Sequence, residues 1–258
     1  MLFSVLTLFK KQVEDWLSHS IMGRAIDAGH FTVDVVDIRD FAINDYGKVD
    51  DQIYGGGTGM LMMAEPLYQA TTTQIKKHED LNTEVIFLSP RGETLNQPLV
   101  EELATKEHLL LVCGHYEGVD ERYLEAVNAR EVSLGDFVLT GGELPALALL
   151  DSVARRLPGV LPNEEAFQDE SLSDGLLAEP QYTRPSSWRG KDVPAVLLSG
   201  HAANIEAWRR AKKIETTLRK RPDLAGLKSI DVSDWKDALA VLQDELERPV
   251  TSGENTED

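Results

Sequence analysis

The sequence predicts an α/β fold in which helices cover both faces of a parallel sheet, followed by a small helical domain. Two observations predict the sheet: short apolar runs alternate with longer amphipathic stretches, and the runs carry Val, Ile, Leu and Phe on both faces. A third observation predicts where the sheet domain ends, because the alternation stops near Pro162. A chain of 258 residues is long enough for one large domain or two small ones.

Five apolar runs have the length and composition of buried strands. The first run, at the start of the chain, is too short to span a membrane and has no signal-peptide pattern around it, so we interpret it as a strand of a cytoplasmic protein without a membrane segment. The predicted strands cover residues 3–9, 31–38, 84–89, 108–113 and 130–134.

Between and after these runs lie amphipathic stretches with helical periodicity, long enough to connect parallel strands. The predicted crossover helices cover residues 13–28, 65–77, 98–106, 120–128 and 142–157. Two more helical patterns, at residues 203–220 and 233–247, come without a convincing strand pair and therefore predict a helical second domain.

Composition divides the chain into four parts. Residues 1–162 form the sheet domain, and residues 163–178 are polar, acidic and without periodicity, which is typical of a flexible linker. Residues 179–248 form the helical domain, and the acidic residues 249–258 are predicted to be a disordered tail.

The charge and the cysteine content exclude several classes of protein. Lys and Arg number 26 against 44 Asp and Glu, and a net charge of −18 repels polyanions over most of the surface, so nucleic-acid binding would have to be local. A single cysteine, Cys113, excludes an internal disulfide framework. The six histidines show no spacing that is typical of metal ligands, so no metal site is predicted.

Three glycine-bearing loops, at residues 89–93, 114–118 and 134–143, each follow a predicted strand. Because the carboxyl ends of parallel strands meet at one edge of a sheet, these loops predict a ligand crevice there. The alternative is that the glycines only make tight strand-to-helix turns. Neither a dinucleotide fingerprint nor a phosphate loop occurs in the chain, which favours an adenosine-type ligand held mainly by backbone groups.

Charged residues around and beyond the linker suggest a second set of candidates. A carboxylate among Asp169, Glu170 and Asp174 could accept a proton, and Arg155 or Arg156 could stabilise negative charge, if the linker folds over the crevice. A solvated acidic loop is the alternative. A basic stripe at residues 209–221, which includes Arg209 and Arg210, could contact phosphates, or could simply be a solvated helix face.

Taken together, several strings make the sequence resemble the bacterial tRNA (guanine-N1)-methyltransferase family, TrmD, nearly from end to end. The strings are Arg39-Asp40-Phe41, Val49-Asp50-Asp51, Tyr54-Gly55-Gly56-Gly57-Thr58-Gly59-Met60, Cys113-Gly114-His115-Tyr116-Glu117-Gly118-Val119-Asp120-Glu121-Arg122, Gly135-Asp136-Phe137-Val138-Leu139, Gly141-Gly142-Glu143-Leu144-Pro145-Ala146, Tyr182-Thr183-Arg184-Pro185, Ser199-Gly200-His201 and Trp208-Arg209.

The resemblance implies a deep trefoil knot in the sheet domain, a homodimer with active sites between subunits, and S-adenosylmethionine as methyl donor. It implies tRNA as the partner and N1 of guanine 37, the base 3′ of the anticodon, as the methyl acceptor. The positions matched to the donor site are Leu88, Pro90, Gly114, Tyr116, Glu117, Leu134, Gly135, Asp136, Phe137, Val138, Leu139, Gly141 and Gly142. The positions assigned to tRNA are Arg184, Ser199, His201, Arg209 and Arg210.

The resemblance also implies a general base in the linker, because guanine N1 must lose a proton as it is methylated. Where the family has Asp-Ser-Phe this chain reads Asp169-Glu170-Ser171-Leu172, so the register favours Glu170 as the base and Asp169 is the alternative. Arg155 matches the family arginine that steadies negative charge on the base, and Arg91 stands where the family commonly has glutamine.

The sequence is compatible with two other functions. One is methylation of another RNA base by a related knotted enzyme, and the other is RNA binding by a member that has lost catalysis. Assistance by Mg2+ is left open by the sequence.

Overall fold

The computed structural model describes residues 1–161, 171–224 and 230–247. Two compact units make up the chain, Met1–Glu164 and Glu165–Asp258, and each is described by itself. The linker carboxylates Asp169 and Glu170 and the acidic tail therefore lie outside the described residues.

The first unit is built on one five-stranded sheet in which every pairing is parallel. The strand order is β2-β1-β6-β5-β7. The strands are β1 (Leu2–Thr7), β2 (Thr32–Asp37), β5 (Thr83–Thr94), β6 (His108–Val112) and β7 (Arg130–Ser133). The predicted parallel sheet is confirmed.

Alternating side chains of these strands form two hydrophobic cores, one on each face. Leu109 and Leu111 of the central strand β6 face one core, and Leu110 and Val112 face the other, all without solvent exposure. This burial on both sides is the reason why β6 is apolar at consecutive positions.

The helices of the first unit cover these two faces. Residues from α1, α2, α4 and α6 enter one core, and residues from α3 and α5 enter the other. Their bounds are α1 (Lys10–Leu17), α2 (Ser20–Asp27), α3 (Ala64–Lys77), α4 (Gln97–Leu103), α5 (Glu121–Ala126) and α6 (Glu143–Ala154).

The single helix predicted over residues 13–28 is wrong, because the chain forms α1 and α2 with a break between them. Ser20 has a φ of 57°, a left-handed conformation that interrupts an α-helix. The polar residues Ser18 and His19 lie at the break.

Strand β5 runs beyond its predicted end, and its pairing with β7 is interrupted by a bulge. Val132 of β7 is the register partner of both Leu88 and Glu93, so residues 89–92 bulge out of the pairing. The segment at residues 89–93, which was predicted to be a loop after a strand, is therefore a bulge within a strand. Gly92 packs directly on the backbone of Glu131 and leaves no room for a Cβ.

The prediction also missed a short antiparallel hairpin made of β3 (Asp50–Gln52) and β4 (Met60–Met62). Four glycines in its connection have positive φ, including Gly57 at 138° and Gly59 at 118°. Such angles are accessible to glycine at no steric cost, so the glycine-rich string forms a loop between strands.

The second unit contains the helices α7 (Ala195–Leu198), α8 (Ala202–Lys220) and α9 (Val232–Glu247). Its small core includes Leu176, Ala211, Ile214, Ile230 and Ala238. A hairpin of β8 (Ser187–Trp188) and β9 (Lys191–Asp192) corrects the expectation that no strand pair follows Pro185. Over residues 1–161, 171–224 and 230–247, no helix has the length and apolar character needed to cross a membrane.

Candidate functional site

A cleft of about 480 Å³ opens at the carboxyl edge of the sheet in the first unit. Its walls come from the β5 bulge, the loop after β6 and the loop between β7 and α6. All the residues matched to the family donor site line it, except Asp136. These are Leu88, Pro90, Gly114, Tyr116, Glu117, Leu134, Gly135, Phe137, Val138, Leu139, Gly141 and Gly142.

Glycines form part of the cleft wall because neighbouring groups fill the space of a side chain. A Cβ at Gly142 would lie 2.6 Å from Cα of Cys113, and one at Gly114 would lie 2.8 Å from the ring of Phe87. The amide of Gly142 also donates a hydrogen bond to the carbonyl of Gly114 at 2.9 Å. The two loops therefore meet backbone to backbone, and the structure brings together the glycine loops that were predicted to form a crevice.

Beneath these loops lies a hydrogen-bonded group that the sequence analysis did not single out. Glu143, at the start of α6, is 4% exposed. Its Oε1 accepts a hydrogen bond from the Thr7 hydroxyl at 2.6 Å, and its Oε2 lies 2.7 Å from Nε2 of His115. The one available signal was a carboxylate directly before the apolar run at residues 144–150.

The thiol of Cys113 is fully buried at the end of β6. Burial raises its pKa well above the usual value, and the nearby charge of Glu143 raises it further. A neutral, inaccessible thiol is a poor nucleophile, so Cys113 is a packing residue beside the cleft.

The β3–β4 hairpin supports the loop after β6 from the other side. The amide of Glu117 donates to the carbonyl of Met60 at 3.0 Å, and the amide of Met62 donates to the carbonyl of Gly118 at 3.0 Å. A Cβ at Gly59 would lie 2.7 Å from the Glu117 side chain. Through this contact the glycine-rich segment at residues 54–60 packs against the loop after β6, although none of its residues lines the cleft.

Arg91 of the β5 bulge lies at the rim of the cleft and is paired with two carboxylates. Its Nη2 is 3.0 Å from Oε2 of Glu121 and 3.2 Å from Oε2 of Glu131. The hydrogen bond to Glu121 is the main reason why the pKa of the Arg91 guanidinium is raised. The arginine thus ties the bulge to α5 and to β7.

Arg155 follows the last residue of α6, where it caps the helix, and its side chain is half-buried. Helix α6 begins at the cleft with Gly142 as its amino-terminal cap. Arg155 is therefore placed at the opposite end of α6 from the cleft of its own chain. The structure does not bring Arg155 together with the residues matched to the donor site.

The residues assigned to tRNA lie in the second unit. Arg184, Ser199 and His201 are exposed. Arg210 is held by Asp174 at 3.1 Å and by Asp234 at 2.7 Å. The hydrogen bond to Asp234 raises the pKa of its guanidinium, with burial acting in the opposite sense. Arg209 is 3.6 Å from Glu179, so neighbouring carboxylates offset much of the basic stripe.

Among the residues that the structure describes, no group of three or more His, Cys, Asp or Glu side chains is arranged to hold a metal ion.

The parallel sheet and the glycine-walled cleft define an α/β protein with a candidate small-molecule site. The cleft lies at the carboxyl ends of the strands, where ligands bind in open α/β sheets. Residues 1–227 match the family described as tRNA (Guanine-1)-methyltransferase TrmD. The chain belongs to this family.

Similar proteins cover almost the same length. The chain is 47% identical over 248 residues to a tRNA (guanine-N(1)-)-methyltransferase of Moorella thermoacetica, covering 96% of this chain and 99% of the relative. It is 50% identical over 222 residues to the protein of that name from Lachnospira eligens, covering 86% and 94%. The corresponding protein of Pediococcus pentosaceus is 46% identical over 243 residues, covering 94% and 98%.

Proposed function

We propose that this protein transfers a methyl group from S-adenosylmethionine to N1 of guanine 37 in tRNA. The observation that carries the proposal is the family match over residues 1–227, together with full-length relatives that bear this activity in their names. The cleft supports it, because the positions matched to the donor site converge there with the exception of Asp136.

The cleft fits an adenosine-type donor in size and in chemistry. Its volume lies within the range of about 300–1,000 Å³ that small-molecule sites occupy. Its lining combines apolar side chains such as Leu88, Leu134 and Leu139 with glycines of the surrounding loops. When bound, the donor supplies a methyl group on a positively charged sulfur, which needs no metal to make it electrophilic. The residues of the chain have to hold this group in line with the acceptor.

The acceptor needs more help from the protein than the donor does. Guanine N1 carries a proton at neutral pH, so a carboxylate must accept that proton while the methyl group is transferred. We assign this step to Glu170, with Asp169 as the alternative, on the family register alone. Arg155 would stabilise the negative charge that develops on the base.

The position of Arg155 supports a homodimer with active sites between subunits. Helix α6 has 12 residues, and at 1.5 Å per residue its ends are about 18 Å apart. Arg155 is therefore too far from the cleft of its own chain to reach a base held there. In a homodimer, Arg155 of one subunit could instead reach a base held in the cleft of the other.

Exposed apolar side chains near the cleft support the same arrangement. Val138 is 84% exposed and Leu144 is 57% exposed, and Phe137 and Leu139 are exposed beside them. A cluster of exposed apolar residues at a site rim is typical of a surface that a partner covers.

The finer features of the fold belong to this proposal as well. We infer the deep trefoil knot from the family. We assign tRNA binding to a small helical domain at residues 179–248, joined by the linker at residues 163–178 to the sheet domain at residues 1–162. A tRNA substrate implies a cytoplasmic location.

Methyl transfer to defined tRNA transcripts tests the function. We would supply S-adenosylmethionine with a labelled methyl group, use an unmodified transcript with guanine at position 37 and a matched transcript with adenine there, and map the product base. The wild-type protein is expected to form N1-methylguanine at position 37 only. Of the variants Glu170→Ala and Asp169→Ala, the one that removes the general base is expected to abolish methyl transfer, while donor binding remains.

Other outcomes of this assay contradict the proposal. Methylation of a different base would indicate a related RNA methyltransferase. Donor and tRNA binding without any transfer would indicate a non-catalytic RNA-binding member. Repeating the assay with and without Mg2+ determines whether the ion takes part.

A further inference from the structure

Glu143 is a buried carboxylate whose two oxygens are both occupied. The side chain lies in the first turn of an otherwise apolar part of α6, where the helix dipole favours negative charge. Burial of such a group costs several kcal/mol unless hydrogen bonds replace its water. Thr7 donates to Oε1 and His115 lies within hydrogen-bond distance of Oε2. The carboxylate is therefore fixed in one orientation.

The partners of Glu143 come from separate elements, and one of them, His115, lines the cleft. Thr7 ends β1, and its hydroxyl also accepts a hydrogen bond from the amide of Phe9 at 2.9 Å. The ring of Phe9 lies 5.0 Å from the ring of His115, centroid to centroid. The amide of His115 contacts the sulfur of Met62 at 3.2 Å, which adds the β3–β4 hairpin to the group.

His115 itself lines the cleft, next to residues with unfavourable backbone angles. Tyr116 follows it with a φ of 60°, a left-handed conformation that costs on the order of 1 kcal/mol or more for a residue with a side chain. Gly141, on the facing loop, packs so closely on the His115 ring that a Cβ would also stand 2.8 Å from Oε2 of Glu143. The ring thus acts as a spacer between the two loops that hold the donor-matched residues.

We propose that Thr7, Glu143 and His115 form a positioning unit that fixes the loops of the donor cleft and so determines the affinity for the methyl donor. This inference rests on the proposed function, because it concerns the same donor. None of the three side chains transfers a proton or a methyl group in it. Their effect is to keep residues 114–118 and 141–142 at the separation that the donor requires.

A purely structural role is the competing explanation, and the chain offers a matched control for it. Thr71 is also a fully buried threonine whose hydroxyl has one buried partner, the hydroxyl of Tyr123 at 2.7 Å. This pair joins α3 to α5, and neither residue lines the cleft. Thr7→Val and Thr71→Val each remove one buried hydroxyl without changing the shape of the side chain.

The first experiment compares these two variants in the full-length protein. Urea unfolding measures the loss of stability in each variant, which is expected to be larger for Thr7→Val because its hydroxyl donates to a carboxylate. Only Thr7→Val is expected to raise the Kd for S-adenosylmethionine, on the order of 10-fold, since small displacements in a preorganised site reduce affinity strongly. The same variant should raise KM for the donor and leave kcat at saturating donor close to that of the wild type.

A second pair of variants tests the unit at His115, which is partly exposed and tolerates replacement better than the core. His115→Gln keeps an N–H group that can donate to Glu143, whereas His115→Leu removes it. Donor affinity is expected to fall with leucine and to be largely restored with glutamine. Methyl transfer measured at saturating donor should differ less between the two than their KM values do.

The outcomes separate this inference from the function on which it rests. If wild-type protein binds the donor and Thr7→Val weakens binding no more than Thr71→Val does, the positioning unit is disproved and the function stands. If glutamine and leucine at position 115 behave alike, the hydrogen bond to Glu143 plays no part. If wild-type protein neither binds the donor nor transfers a methyl group, the proposed function itself fails.

Discussion

The ring of His115 lies against the backbone of Gly141, on the loop that faces it across the edge of the cleft. No side chain can be added at Gly141 unless this ring moves, and the ring is held by Glu143 at 2.7 Å. The close approach of a side chain to a backbone therefore accounts for a glycine at a position whose own φ is not in the left-handed region.

Gly141→Ala is expected to weaken donor binding by on the order of 10-fold or more, because the added Cβ displaces His115 and opens the loops. Equilibrium binding of S-adenosylmethionine measures the effect. Gly29→Ala is the control: Gly29 has a φ of 76° and nothing within 4 Å of a Cβ, so alanine there strains the backbone without a collision. It should lower stability by about 1 kcal/mol and leave donor affinity unchanged. Equal donor affinity in both variants would contradict the packing argument.

Mixed dimers are expected to show that Arg155 serves the cleft of the partner subunit. Arg155→Ala and Gly141→Ala should each impair transfer as homodimers, the first through charge stabilisation and the second through donor binding. A heterodimer of the two keeps one site with an intact cleft and an intact arginine, so it should recover about half of the wild-type activity per dimer. Differently tagged chains, co-expressed and purified through both tags, allow this measurement. Heterodimers as inactive as the two parents would mean that Arg155 acts within its own chain.

The sheet and its cleft could be predicted from the sequence because they depend on local patterns. Strand β6 is apolar at four of its five positions, so its burial on both faces can be recognised without knowing its neighbours. The cleft could be predicted from the glycines at the ends of such strands. The sequence contains no comparable pattern that predicts the order of the strands or the register between them.

Features that depend on contacts between distant residues could not be predicted. His115 and Glu143 are 28 positions apart, and nothing in the spacing shows that they meet beneath the cleft. Strand β3 contains only Asp50, Asp51 and Gln52, and such polar residues do not indicate a strand unless the pairing with β4 is known. The bulge at residues 89–92 likewise requires the register with β7.

The buried histidine His108 is expected to make the protein less stable in mild acid. It is enclosed at the start of β6, where Nε2 lies 2.9 Å from the Ser4 hydroxyl and Nδ1 lies 2.7 Å from the Thr83 hydroxyl. Burial, together with a smaller contribution from the nearby His78, lowers its pKa from 6.5 to about 4, while Asp34 acts in the opposite sense. The neutral ring is thus the form that the fold accommodates.

The sign of the pH dependence follows from these values. Between pH 6.5 and 4 the unfolded chain binds a proton at His108 that the folded chain does not, so the free energy of unfolding falls as the pH falls through this range. The loss amounts to at most about 3 kcal/mol. Urea unfolding at several pH values, compared between wild type and His108→Gln, isolates this contribution. The same pH dependence in both proteins would show that other groups cause it.

The hairpin of β8 and β9 is expected to contribute to tRNA binding through one aromatic and two cationic side chains. Trp188 is 60% exposed, and the guanidinium of Arg189 lies 5.1 Å from its ring centroid. Lys191 is exposed in the facing strand. Stacking of a base on an aromatic ring contributes about 1–3 kcal/mol and depends little on salt, whereas a lysine–phosphate contact weakens as salt displaces it.

Two substitutions on this hairpin should therefore have different salt signatures. Trp188→Ala should weaken tRNA binding by about 1–3 kcal/mol at every salt concentration, and Lys191→Ala should reduce the slope of log affinity against log salt by about 1. Arg210→Ala differs from both, because it removes the guanidinium that joins Asp174 to Asp234 and so destabilises the second unit. Titration of tRNA at several salt concentrations, with urea unfolding of each variant, distinguishes the three. Unchanged affinity in both hairpin variants would place the tRNA surface elsewhere on the molecule.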